Sequence, residues 1–188
     1  MTRQIVLAGA AAALLGGCSA GAADSGPALG TSQPQAAMFA AASGTVAERV
    51  LAVHNRTRAA AGVPALSWDA QLAAGATAYA AELARRGQLV HSPRQSRPGQ
   101  GENLWMGSAG AYTPEFMVQS WADERRLFRA GTFPSVSTTG NWADVAHYTQ
   151  MIWRSTTHVG CAIQRSGRWD VLVCRYSPAG NRDGQPVP

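Results

Sequence analysis

Two alternating runs near the C-terminus constrain this chain more than any other feature. His158 to Arg165 carries Val159, Cys161 and Ile163 at alternate positions, and Trp169 to Tyr176 carries Val171 and Val173. An apolar period of two marks half-buried strands. Between them stands Gly167-Arg168, a glycine-first pair suited to a type II′ hairpin turn. A two-residue turn there fixes the register so that paired residue numbers sum to 335, which sets Cys161 opposite Cys174. The spacing predicts a cross-strand disulfide, and with it an oxidising compartment. The competing reading, Cys161 as a free nucleophile with His147 as its base, has no supporting motif around it.

The third cysteine, Cys18, lies where an export signal would place it. Arg3 supplies a short basic start, Ile5 to Leu15 is apolar and alanine-rich, and the stretch is too short for a permanent bilayer span. It ends Leu15-Gly16-Gly17-Cys18, similar to a bacterial lipobox, in which cleavage before the cysteine leaves a lipid-modified terminus. Residues 1–17 then read as a signal peptide, and 18–43, rich in Ala, Gly, Ser, Pro and Gln, as a flexible tether with Cys18 as lipid anchor. Cleavage later, around Ala20 to Ala22, or pairing of Cys18 with another cysteine are the alternatives. Ser19 after the cysteine suits outer-membrane sorting in a host with two membranes, and without lipidation the product is secreted.

Residues 44–188 form the folded domain, large enough to bury about two-thirds of its unfolded surface. Thr45-Val46-Ala47-Glu48 is a capping box, and Val46, Val50 and Val53 follow at helical spacing until Gly62. Asp69 caps a second helix whose Leu72, Ala76, Tyr79 and Leu83 share a face, closed by Arg85-Arg86-Gly87. Ser92 to Gly101 reads as a loop flanked by His91 and Glu102. A third helix starts at Thr113-Pro114 and runs to about Phe128, with Met117, Trp121, Glu124 and Phe128 inward. A carboxylate on an apolar face needs a buried partner. A short helix from Val145 to Trp153 carries His147 at its start.

Charge excludes one class of partner. The net charge is +5 from 16 basic and 11 acidic residues, but the arginines are dispersed and no basic run marks a phosphate track, so nucleic acid is not an expected partner.

Several segments together resemble the CAP superfamily, which includes cysteine-rich secretory proteins, antigen 5 and plant pathogenesis-related protein 1. They are His54-Asn55 with Arg58, Gly62-Val63-Pro64, Leu66 to Asp69, Tyr79-Ala80, His91-Ser92, Gly101 to Leu104, Trp121 to Glu124, His147 to Gln150 with Trp153, Gly160 to Ala162, Val173 to Tyr176, and Pro178 to Asn181. The resemblance implies an α+β fold, a three-layer α-β-α sandwich with a small, mostly antiparallel sheet between helices. It also implies a cavity tetrad of His91, Glu102, Glu124 and His147, with Asn103, Tyr148 and Gln150 at the cavity rim, and a Cys161–Cys174 bridge. The chain departs from the pattern at Ala146, where a glycine usually precedes the His-Tyr-Thr-Gln motif, and lacks the further cysteines of plant members.

Two imidazoles can bind a divalent cation such as zinc, with carboxylates orienting or completing the site. Against this stands a structural reading, in which the four residues form a buried hydrogen-bonded network. Three functions follow. The first is a monomeric, non-enzymatic binding module of the cell envelope, taking a cation, a lipid, sterol or small apolar ligand, or an envelope protein. The second is a metal-assisted hydrolase of peptide or envelope material with Glu102 or Glu124 as base, and the third a glycan-cleaving enzyme using both glutamates. His54 reads as a packing residue and His158 as solvated, and the six tryptophans mainly as core or cavity wall.

Overall fold

The computed structural model describes residues 44–188; the segments expected to be a signal peptide and a tether, with the expected anchor Cys18, lie outside the described residues. Four helices and six strands follow one another as α1 (Val46–Ala60), β1 (Ser67–Trp68), α2 (Ala70–Arg86), β2 (Gly101–Ser108), α3 (Pro114–Ala122), β3 (Gly131–Thr132), α4 (Ala146–Met151), β4 (His158–Ser166), β5 (Trp169–Ser177) and β6 (Pro186–Val187). The main sheet has the order β1-β4-β5-β2, antiparallel except for the short parallel pair of β1 with β4. A second, two-stranded sheet joins β3 to β6.

The hairpin that constrains the sequence forms in the expected register. Cys161 faces Cys174 and the two are bonded, with Cα atoms 4.1 Å apart. Gly167 takes φ +54° while Arg168 stays outside the left-handed region, as a type II′ turn requires.

The sheet is buried on both faces. Leu104, Val171 and Val173 point to one side and pack with Ala76, Ala80 and Leu83 of α2. Leu172, Cys174 and Tyr176 point to the other, with Val159 and Cys161, and meet Val50 and Val53 of α1 and Met117, Val118 and Trp121 of α3. This alternation is the two-residue period of a strand with a helix layer on each side. The three-layer sandwich is thereby realised, α2 in one layer and α1, α3 and α4 in the other. Small residues let α2 lie close: a Cβ on Gly160 of β4 would stand 2.3 Å from Ala73 N and 2.4 Å from Asp69 O. No side chain fits there.

Local rules account for the helix ends. Thr45 and Glu48 close a reciprocal capping box, Asp69 accepts from Gln71 and Leu72 N–H, and Gly87 ends α2 at φ +62°. The inward face of α1 departs from expectation at its start, because Val46 is exposed and the buried stripe is Val50, Val53, His54 and Arg58. The third helix also differs: α3 ends at Ala122, and Asp123–Leu127 tightens into a 3₁₀ turn. That tightening still leaves Glu124 facing inward, toward the start of α4.

Arg58 locks the helical layer together from within. It is fully buried, and its guanidinium donates to the carbonyls of Pro64 (2.5 Å), Met151 (2.8 Å), Trp153 (3.0 Å) and Thr156 (3.0 Å). A buried cation without a carboxylate is held by carbonyl dipoles alone, one of them that of Met151 at the C-terminal end of α4, where the helix dipole favours positive charge.

Candidate functional site

Glu102 follows the loop it was expected to flank, sitting second on β2 opposite Arg175 of β5. On that strand its side chain turns toward the α2 layer, where it is fully shielded from solvent. His91, in the segment after α2, reaches it through Nδ1 at 2.8 Å, and Ser92 adds its backbone N–H (3.0 Å) and hydroxyl (2.8 Å). Arg175 closes from the strand side at 3.0 Å, and Arg97 lies 3.8 Å away. Burial alone would raise the Glu102 carboxyl; the hydrogen bonds from His91 and Ser92 and the charge of Arg175 outweigh it and hold the group below the ordinary carboxylate range.

The second pair forms in the other layer. Glu124 accepts from His147 Nδ1 at 2.6 Å, and its other oxygen accepts the backbone N–H groups of His147 and Tyr148, both at 3.0 Å. The carboxylate therefore caps the first turn of α4 from a distant part of the chain, satisfying donors that a helix start leaves unpaired. This is the partner that a carboxylate on an apolar face requires. Trp121 stacks on the His147 ring, centroids 5.7 Å apart and planes 16° off parallel.

Asn103 joins the two layers. Next to Glu102 on β2, it points the opposite way and donates from Nδ2 to the His147 carbonyl and to the Tyr176 hydroxyl, each at 3.1 Å. Tyr176 in turn lies 2.8 Å from His54 Nε2, and His54 Nδ1 lies 2.9 Å from the Val50 carbonyl. A carbonyl only accepts, so Nδ1 carries the proton, Nε2 accepts, and Tyr176 donates to it. The polarity of the whole chain is fixed from Val50 to His147.

A cleft of about 900 Å³ opens where the layers meet. His91, Glu102, Asn103, His147 and Gln150 line it. Two expected members do not. Glu124 stands behind His147, and Tyr148, expected at the rim, is instead a core residue packed edge-on against Phe128 at 5.2 Å. Helical spacing explains the difference, since consecutive residues of α4 point about 100° apart.

The sequence profile of the cysteine-rich secretory protein family, CAP, matches residues 51–176. This chain belongs to the CAP family. It is 39% identical over 136 residues to pathogenesis-related protein 1A of Nicotiana tabacum, covering 72% of this chain and 76% of that one. Pathogenesis-related leaf protein 6 of Solanum lycopersicum is 40% identical over a similar span, 72% of this chain and 79% of its own. Among solved structures, NaASP2 with Zn2+ superposes with a TM-score of 0.63 at 24% identity, covering 76% of this chain and 85% of that one. Na-ASP-1 has the same TM-score and identity over 86% of this chain, which spans only 45% of its length. These structural likenesses carry the fold.

In this CAP domain the tetrad is two His–Glu pairs, one from each layer. Among the described residues the one group of three donors lying within 4.8 Å of one another is elsewhere, at His54, Cys161 and Cys174. That group could hold a metal only with the cysteines reduced, because their sulfurs are bonded to each other and both His54 nitrogens are already engaged. Burial pushes His54 down to about 4, with the Arg58 charge also lowering it against the opposing Val50 hydrogen bond. Sequence reasoning missed Arg175, Ser92 and Arg97 around Glu102. The signal would have been a strand at Gly101–Ser108, whose first four residues are buried in succession and so show no alternation.

Proposed function

We propose that this protein is an exported binding module whose cleft holds a divalent cation such as zinc between His91 and His147. One observation carries the reading: each imidazole gives its Nδ1 to a glutamate, 2.8 Å for His91 and 2.6 Å for His147. In a neutral ring that arrangement leaves the Nε2 lone pair free, and both histidines border the same cleft. A carboxylate behind a ligating histidine fixes its tautomer and strengthens it as a ligand. The donor set fits zinc, with two protein nitrogens and the remaining positions open to water or to a ligand's oxygens. A bound cation would supply Lewis acidity at the cleft. The solved relative whose name records Zn2+, NaASP2, has the same fold.

Binding is favoured over hydrolysis because neither glutamate has a free oxygen. Both oxygens of Glu102 and both of Glu124 accept hydrogen bonds from the protein, and neither is poised to take a proton from water or to protonate a sugar. Export rests on the signal-like start and on the disulfide. In this reading Cys18 holds the domain to an envelope membrane, and the lipidated chain is monomeric.

The test is isothermal titration of chelator-treated protein with zinc, beside His91→Ala and His147→Ala. One zinc per chain is expected, with at least about tenfold weaker binding in each variant. Equal affinity in all three proteins, or none in the wild type, would leave the pairs as a structural network.

A further inference from the structure

We infer that the cleft is built for an anionic saccharide. The inference rests on the cleft being a binding site, and not on the cation.

Charge is the first ground. Arg94, Arg97 and Arg182 border the cleft, with Arg175 directly behind Glu102, against only two carboxylates, Glu102 and Asp183. Glu102 presents no open acceptor, because its side chain is fully shielded and ringed by His91, Ser92, Arg97 and Arg175. Among the described residues no ion pair involves Arg94 or Arg182, and both are exposed. Two guanidinium forks thus stand at the cleft without a partner, the geometry that binds carboxylate or phosphate oxygens in pairs.

The apolar lining decides between ligand classes. No Leu, Ile, Val or Met borders the cleft; its apolar surface comes from Phe133, Trp142, prolines and alanines. This cleft therefore offers none of the aliphatic anchor positions that an acyl chain or the side chains of a peptide need. Trp142 instead leaves a flat indole 45% exposed, propped edge-on against Phe133 at 5.5 Å. A rigid flat ring beside guanidinium groups suits a sugar, whose C–H face stacks on the indole while its charged substituent reaches the arginines. The volume, about 900 Å³, lies at the upper end for small-molecule sites and admits more than one sugar ring.

The test is titration of the exported protein with an oligomer of galacturonic acid, the neutral galactose oligomer of equal length and an oligoglutamate peptide, all with chelator present. The acidic sugar is expected to bind at least about tenfold more tightly than the other two, and to weaken with added salt. Replacing Arg94→Gln and Arg182→Gln together, at exposed positions whose side chains make no internal hydrogen bond, is expected to lower affinity about tenfold and flatten the salt dependence. Trp142→Ala is expected to weaken binding with the salt dependence kept. Neutral sugar or acidic peptide binding as well as the uronate, no uronate binding, or an unchanged double variant each overturns the inference. Because chelator is present, uronate binding by a protein that takes up no zinc would sink only the cation reading, and zinc uptake without uronate binding would sink only this one.

Discussion

Acid should unfold this domain earlier than its carboxylates alone would require, and the cause is His54. The ring is fully buried, and its pKa of about 4 lies well below the ordinary 6.5. Between those values the unfolded chain takes up a proton that the native state refuses, so the unfolded state binds more protons and stability falls as pH falls. The contribution is intact above about 6.5 and is lost as the pH drops toward the folded value. Linkage between 6.5 and about 4 gives a loss, relative to pH 7, of about 2 kcal/mol by pH 5 and about 3 kcal/mol by pH 4. Below that both states are protonated and the loss stops growing. Urea denaturation followed by tryptophan fluorescence at several pH values between 4 and 7, on wild type and His54→Gln, isolates the term. Other titrating groups are common to both proteins and cancel in the difference. The glutamine variant starts about 1–3 kcal/mol less stable at pH 7, having lost a packed ring and its hydrogen bonds, and the two curves converge as the pH is lowered. Parallel curves would refute the argument, because they would mean that His54 titrates alike in the folded and unfolded chain.

Three further outcomes follow from the packing. Replacing Cys161→Ser and Cys174→Ser together should cost about 3 kcal/mol in urea, the value for opening a loop closed across 13 positions, and reductant should then have no further effect. Arg58→Lys should cost about 2–4 kcal/mol, since one ammonium cannot satisfy carbonyls of Pro64, Met151, Trp153 and Thr156 together and each orphaned carbonyl carries its own penalty; thermal unfolding with unchanged stability would show that water replaces the guanidinium. Glu124→Gln turns an amide NH2 toward a site of three donors, so it should lose about 1–3 kcal/mol of stability and at least about tenfold in zinc affinity by titration calorimetry.

The residues at which sequence reading stopped are instructive. The β4–β5 register was legible because a glycine-first turn and the two-residue period are local, and a disulfide across the pair depends on nothing else. Helix α2 was legible for the same reason, with Asp69, its apolar stripe and Gly87 all within one segment. Strand β2 was not, because its first four residues are buried in succession, with the His91–Ser92 segment on the Glu102 side and α4 on the Asn103 side, and this erases the alternation that marks a strand. The partners of Glu102 disappeared with it: Arg175 stands 73 positions away and becomes its neighbour only when β2 pairs with β5.

Glu124 shows the division most clearly. Its place on an otherwise apolar face, read from spacing alone, demanded a buried partner, and the sequence could demand no more than that. Which partner it took was decided by tertiary structure, because the N–H groups it caps belong to a helix 23 positions later, brought within 3.0 Å by packing of α3 on α4. Periodicity, caps and turns are properties of neighbouring residues, and a chain carries them in its order. The meeting of His91 and His147 on one cleft from opposite sides of a sheet is a property of distance in space, and only the folded layers determine it.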